Sequence, residues 1–203
     1  WIMVFLAVAQ GSAWNVIGGY AGQYSVGHAA YFGIGAYTTM MLLELHQIAP
    51  WWGVGLAIVN AIILSVIIGS ITFRLRGPYF VLASIAVAEI LRLAVLHWRD
   101  FTKGAEGILL SGIPPLQLTE TFSIEFIGKK PFFYASLGLA IIVVAANWFV
   151  QNTKLGYYFQ AIREDQDAAH SLGISPTLHK SIALAISAAF TAWAGALFGL
   201  YVK

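Results

Sequence analysis

The chain has 203 residues, no cysteine and little charge, with Asp, Glu, Lys and Arg together making up 10%. Without cysteine there can be no disulfide, no thiolate metal site and no cysteine nucleophile. A soluble domain carries about 25% charged residues, and it needs them to cover its outside. This chain is 59% hydrophobic with mean hydropathy +0.77, which excludes a water-soluble globule. Intrinsic disorder is excluded for the same reason, because it requires low hydrophobicity and high charge. A G-x-x-x-x-G-K-[ST] phosphate loop is absent, so nucleotide binding through that motif is not expected. There is no N-x-Ser/Thr sequon. The net charge is only +2, and basic residues cluster only at Arg74/Arg76 and Lys129/Lys130, so nucleic acid is not an expected partner.

Catalytic and metal chemistry are equally sparse. His28, His46, His97, His170 and His179 lie in different segments without ligand spacing, so no metal site is expected. Asp167 and His170 stand three apart, which reads as the solvated face of a helix. Ser25 and His28 are also three apart, but no acid accompanies them, and no enzyme is expected. The chain opens at Trp1 inside an apolar run and closes at Lys203 directly after another, so it reads as part of a longer protein, truncated at both ends.

What the sequence does contain is apolar runs. Residues 1–43 hold no charge, and as helix they would cross a hydrocarbon core of ~30 Å about twice. Four more runs, 51–73, 77–96, 132–150 and 181–202, have 23, 20, 19 and 22 residues and are each long enough to span. The expected fold is an all-α polytopic membrane protein of about six segments. The first run is interrupted at 18–28 by Gly18, Gly19, Gly22 and Gly27 together with Gln23, Ser25 and His28. Two readings are open: a loop at the membrane surface, or a broken or re-entrant segment. The latter is tolerated at membrane depth only where protein or a water-filled cavity satisfies the backbone, and it often marks a transport path.

Glu89 and Arg92 lie inside the 77–96 run at helical i, i+3 spacing. They read either as a polar lining of a path or as an ion pair reaching towards the surface. Gly195 and Gly199 form a G-x-x-x-G step suited to close helix packing, and Gly33, Gly35, Gly53, Gly55 and Gly69 read the same way. Basic residues do not fix the orientation. Arg74, Arg76, Lys154, Arg163 and Lys180 fall on one side by parity, and Arg99, Lys103, Lys129, Lys130 and Lys203 on the other, although the tight 74–76 turn is the denser.

Two long connections separate the runs. In 97–131, Leu116, Leu118, Phe122, Ile124 and Phe126 alternate with polar residues, which suggests either a small β-hairpin or an irregular loop. In 151–180, Tyr158, Ala161, Ile162, Ala169 and Leu172 recur at helical spacing, with Arg163, Glu164, Asp167 and His170 on the other side. This predicts one amphipathic helix, ended by Gly173 and blocked from continuing by Pro176.

The string GYAGQYSVGHAAYFGIGAYT at 19–38 resembles the signature of branched-chain amino acid ABC transporter permeases, the M type more than the H type. The stretches at 74–93 and 155–174 agree, as does a Gly-rich segment ending in Gly112-Ile113-Pro114. The resemblance implies a single transmembrane permease domain over 1–203, crossing the cell (inner) membrane of a bacterium or archaeon several times. It places 97–131 outside and 151–180 in the cytoplasm. Importers of this kind carry an E-A-A-x-x-x-G element that docks on the ATPase. Here it stands as Asp167-Ala168-Ala169-His170-Ser171-Leu172-Gly173, with Asp for Glu, preceded by Arg163-Glu164-Asp165.

The residues expected to couple to the ATPase are therefore Arg163, Glu164, Asp165, Asp167, Ala168, Ala169 and Gly173. Those expected along the path are Gln23, Ser25, His28, Glu89 and Arg92. The implied partners are a second permease subunit, two ATP-binding subunits, a periplasmic or extracellular binding protein and the lipid bilayer. ATP and magnesium would act on the partner, with no cofactor on this chain. Related permeases carry urea, short amides or other amino acids. An ion-driven secondary transporter built on Glu89 and Arg92, or a purely structural subunit, are the readings from other classes.

Overall fold

The computed structural model describes residues 1–46, 49–75, 77–107, 116–119, 122–124 and 128–202. Its helices follow the apolar runs: α1 (Ile2–Asn15), α2 (His28–His46), α3 (Pro50–Thr72), α4 (Pro78–His97), a short α5 (Arg99–Thr102), α6 (Lys129–Gln151), α7 (Lys154–Glu164), α8 (Gln166–Ser171) and α9 (Pro176–Val202). Among the described residues five helices are long and apolar enough to cross a membrane: α1 with its extension to Tyr20, α3, α4, α6 and α9. The 19-residue α2 falls outside that set. Its tyrosines, threonines, His28 and Glu44 dilute an otherwise apolar sequence.

The 27-residue α9 is the central element, and α2, α3, α1 and α6 pack around it. Small residues make this possible. A Cβ at Gly35 of α2 would strike the Ala192 carbonyl, and one at Gly195 would strike the Phe32 carbonyl. A Cβ at Gly199 would come within 3.2 Å of Ala36 Cβ. At Gly35 and Gly195 the two backbones therefore meet with no side chain between them, the small-residue packing that replaces hydrophobic driving force within lipid. The glycines do not all serve this purpose. Gly53 meets Thr39 and Gly69 meets Phe73, but Gly33 and Gly55 face open space, which corrects the reading of all of them as packing positions. Ile2, Leu6, Ala9 and Ala13 of α1 bury against Leu139 and Val143 of α6 and Leu197 and Leu200 of α9.

Local chemistry sets the joints. Pro50 and Pro78 occupy the first positions of α3 and α4, where a missing N–H costs nothing. Gly77 precedes Pro78 at φ 56°, a backbone region that disfavours side chains, and the Phe73 and Phe80 rings stack across this joint at 5.3 Å. Beyond it α4 leaves the bundle, and only Phe80 and Ser84 in its first half are buried. At its far end Thr102 Oγ1 lies 2.5 and 2.8 Å from the Val95 and Trp98 carbonyls. In 97–131, Leu116–Thr119 (β1) and Phe122–Ile124 (β2) pair antiparallel. Phe126 and the 112–114 step lie outside the described residues, as do Arg76 and Lys203.

The connection at 151–180 departs from the single helix that its periodicity predicts. The chain breaks at Asp165, which is extended (φ −151°, ψ 112°). Its carboxylate accepts from the backbone N–H groups of Asp167 and Ala168, both at 2.9 Å, and so starts a second helix. A capping acid mid-pattern competes successfully with helix continuation because it satisfies two otherwise orphaned donors.

Candidate functional site

The interruption between α1 and α2 carries two of the buried polar side chains, Ser25 and His28. Val16–Tyr20 forms a π-helical turn, and residues 21–27 are irregular. Gly18 and Gly19 permit the wide turn: a Cβ at Gly18 would strike the Trp14 ring, and one at Gly19 would strike Asn15 Oδ1. The segment is partly covered by the protein. Ala21, Ser25, Gly27 and His28 are buried, while Tyr24 and Val26 are exposed.

A connected set of hydrogen bonds holds it. Trp14 Nε1 donates to the Ser25 carbonyl at 2.7 Å. His28 bridges Ser25 Oγ (Nδ1, 3.0 Å) and Ser187 Oγ (Nε2, 2.7 Å). Ser187 Oγ donates to the Ala13 carbonyl at 2.6 Å. A hydroxyl has one proton, so Ser187 accepts from His28, and the imidazole carries its proton on Nε2. Ser25 then donates to Nδ1. One histidine thus links the start of α2 to α9 and, through Ser187, to α1. On the other side Val26 N–H donates to Ser84 Oγ of α4 at 3.0 Å. A cavity of about 10 Å³ lies beside this network, lined by Ser25, Gly27, Tyr31, Thr72, Phe80 and Ser84 among others. That is room for about one water molecule. Gln23 stays outside the network, its Nε2 lying 3.4 Å from the Ala21 carbonyl.

Glu89 and Arg92 stand apart from it. They form an ion pair at 2.5 Å on α4, with side chains 51% and 58% exposed. The structure therefore does not bring the five path candidates together. Ser25 and His28 meet, Gln23 lies at the edge, and the α4 pair faces away from the bundle.

The 151–180 connection is fastened to the bundle at several points. Gly156 lies against the Val150 and Gln151 carbonyls, and Phe159 and Ile162 are buried. Lys180, 1% exposed at the start of α9, donates to Gln166 Oε1 of α8 at 2.9 Å. Of α8 only Ala169 is buried, while Asp167, Ala168, His170 and the following Leu172 face outward. Leu172 therefore belongs to the outer face, not to the apolar side that its spacing suggested. Gly173 ends the helix at φ 85° with open space around it. The Asp165 carboxyl is held below the usual carboxylate range by the Ala168 and Asp167 N–H groups. Arg163 pairs with Glu164 at 2.8 Å and also donates from Nη1 to the Gly19 carbonyl at 3.0 Å.

Trp14, Ser84, Asn147, Lys180 and Ser187 were not among the sequence candidates. Asn147 donates to the Ser12 carbonyl at 2.8 Å and meets Asn15 at 3.4 Å, tying α6 to α1 just before the π turn. As a lone amide in an apolar run it carried a readable signal, and so did Lys180 beside the 181–202 run. Ser187 stood out only as a hydroxyl among alanines.

A model of the family described as branched-chain amino acid transport system / permease component matches residues 1–203. Two curated proteins are similar, each named high-affinity branched-chain amino acid transport system permease protein LivM. The one from Salmonella typhimurium is 32% identical over 97% of this chain and 50% of its own length. The one from Escherichia coli is 31% identical with the same coverage. The chain thus spans about half the length of the curated relatives it matches. No solved structure matches it.

Proposed function

We propose, because this chain belongs to the family of permease components of branched-chain amino acid transport systems, that it is a transmembrane permease subunit of an ATP-driven importer of leucine, isoleucine and valine. It acts in a bacterial or archaeal cell (inner) membrane with a second permease, two ATP-binding subunits and a binding protein. In this reading α2 is a sixth span, 151–180 is cytoplasmic and 97–131 is extracytoplasmic. The chain does no chemistry. ATP binding and hydrolysis on the partner bias two states of the permease, and α8 carries that bias into the spans as a rigid body.

The observation that most favours coupling through 151–180 is the build of α8. A six-residue helix presents Asp167, Ala168, His170 and Leu172 outward, while a buried lysine and an aspartate cap fix it from behind. A solvated loop with no partner would have no need of such fastening. The small outward Ala168 permits close approach, and the charged groups would make the contact salt-sensitive.

The test is uptake of labelled leucine by the native complex in proteoliposomes, with valine, urea and a short amide as competitors. ATP-dependent uptake blocked only by the branched-chain competitor is the expected result. Blockage by urea or the amide would keep the machine and change the cargo. Uptake without ATP would favour an ion-coupled transporter instead. Replacing Gly173 by Val is expected to lower uptake while membrane insertion persists. Space is open there, so the cost is the positive φ, and Gly173→Asn should be milder.

A further inference from the structure

The contact of Arg163 with the π turn does not belong to the outer face of α8. Arg163 sits at the end of α7, one residue before the break, and reaches back into the bundle. Its guanidinium donates to the Gly19 carbonyl, and its aliphatic stem covers Gly22. Gly22 has φ 67°, and a Cβ there would lie 2.5 Å from Arg163 Cγ and 3.1 Å from Arg163 Cβ. The contact therefore needs glycine twice, for the backbone conformation and for the space. Gly19 lies in the π turn, and three residues beyond Gly22 begins the network of Ser25, His28 and Ser187. A movement of α7 and α8 has a direct route through one side chain to the non-helical segment that joins α1, α2 and α9.

The geometry points to Arg163 as a positioning residue inside the permease, with the Gly19–Gly22 backbone as its seat. Through this contact the position of the 151–180 helices sets the conformation of the broken segment. Arg163 thus acts on the membrane bundle and not on the ATPase, which is contacted by the outward face of α8. The inference rests on the reading of the chain as an ATP-coupled permease.

The test uses the native complex purified through a tag on this chain and reconstituted with its binding protein. Arg163→Ala, Gly22→Ala and Arg163→Lys are compared with wild type in assembled complex per membrane, ATP hydrolysis per complex, and leucine taken up per ATP. Couplings between sites commonly amount to 5–150-fold, so the two alanine variants are expected to lower uptake per ATP about tenfold while hydrolysis per complex persists. Lysine keeps a donor for Gly19 and is expected to recover part of the ratio.

A contact that serves packing alone would reduce complex and uptake together and leave the ratio unchanged, and that result overturns the inference. So does failure of all three variants to assemble. If Arg163→Ala alone fails to assemble, Gly22→Ala carries the test with the arginine intact. A wild-type complex that shows no ATP-dependent uptake would refute the importer reading itself, a result separable from any behaviour of the variants.

Discussion

Ser187 illustrates how much one hydroxyl carries in a dry interior. It accepts from His28 and donates to Ala13, and it is fully buried. Ser187→Ala leaves the imidazole N–H without a partner, and an orphaned buried donor costs about 1–3 kcal/mol. A lower thermal unfolding midpoint in detergent is the expected outcome, and an unchanged midpoint would mean that His28 finds another acceptor. Asp165 acts in the opposite setting, at an exposed helix start. Its carboxyl is held below the usual range, so the cap is fully present above the ordinary carboxylate pKa and is lost as pH falls through the lowered folded value. Hydrogen exchange at the amides of α8 should quicken in that acid window. It should also quicken in Asp165→Ala at neutral pH, but much less in Asp165→Asn, since asparagine caps comparably. Little of this was legible from residue spacing. Ser25 and His28 announced each other three apart, but Ser187 lies 159 residues from His28 and Gly19 lies 144 from Arg163. No local pattern encodes such pairs.

Among the elements, apolar length located the long helices, because burying unpaired backbone in lipid forces helix wherever a run is long enough. Against the six expected segments, five described helices are long and apolar enough to cross, and α2 is not among them. The G-x-x-x-G step of α9 was equally readable, and its partner face is now given by Gly35, Phe32 and Ala36 of α2. Gly195→Leu should force those backbones apart. Overpacking of this kind costs about 1–3 kcal/mol, and a lower unfolding midpoint for Gly195→Leu but not for Gly33→Leu is the expected comparison. Where the sequence reading failed was at α7 and α8. Apolar spacing runs through Asp165 as if the helix were continuous, yet the side chain of Asp165 terminates one helix and begins the next. Periodicity counts faces and is blind to a capping residue that falls in phase with them.

At the scale of the whole molecule, the least packed of the five long apolar helices is α4, in which Phe80 and Ser84 alone are buried. It carries the Glu89–Arg92 pair on its exposed side. Two opposite charges at i, i+3 are far less costly within a membrane than one alone. Glu89→Leu or Arg92→Leu singly should lower the amount of protein in the membrane, and the double variant should restore it. If the double variant also restores uptake, the pair is structural. Restored protein with absent uptake would assign the charges to transport. The sequence placed these two residues in a span but left open what they face, because exposure depends on how α4 departs from the bundle at Gly77 and Phe80, a property of the assembled fold.

The π turn at Val16–Tyr20 has an arithmetic consequence. A wider turn holds surplus chain relative to the α-helix it continues, and one residue of α-helix corresponds to about 100° of rotation. Deleting a single residue, Gly18 for instance, would let α1 run on as ordinary helix. Because the wide turn takes up the surplus residue locally, the helix before it would stay close to its present phase, and Ala9 and Ala13 would keep facing α6 and α9. The extra residue is therefore held without the rotation of about 100° that it would cause in plain α-helix. What a turn shortened by one would change is the local course of the backbone around the Gly19 carbonyl, while the buried stripe of the first helix could stay as it is written.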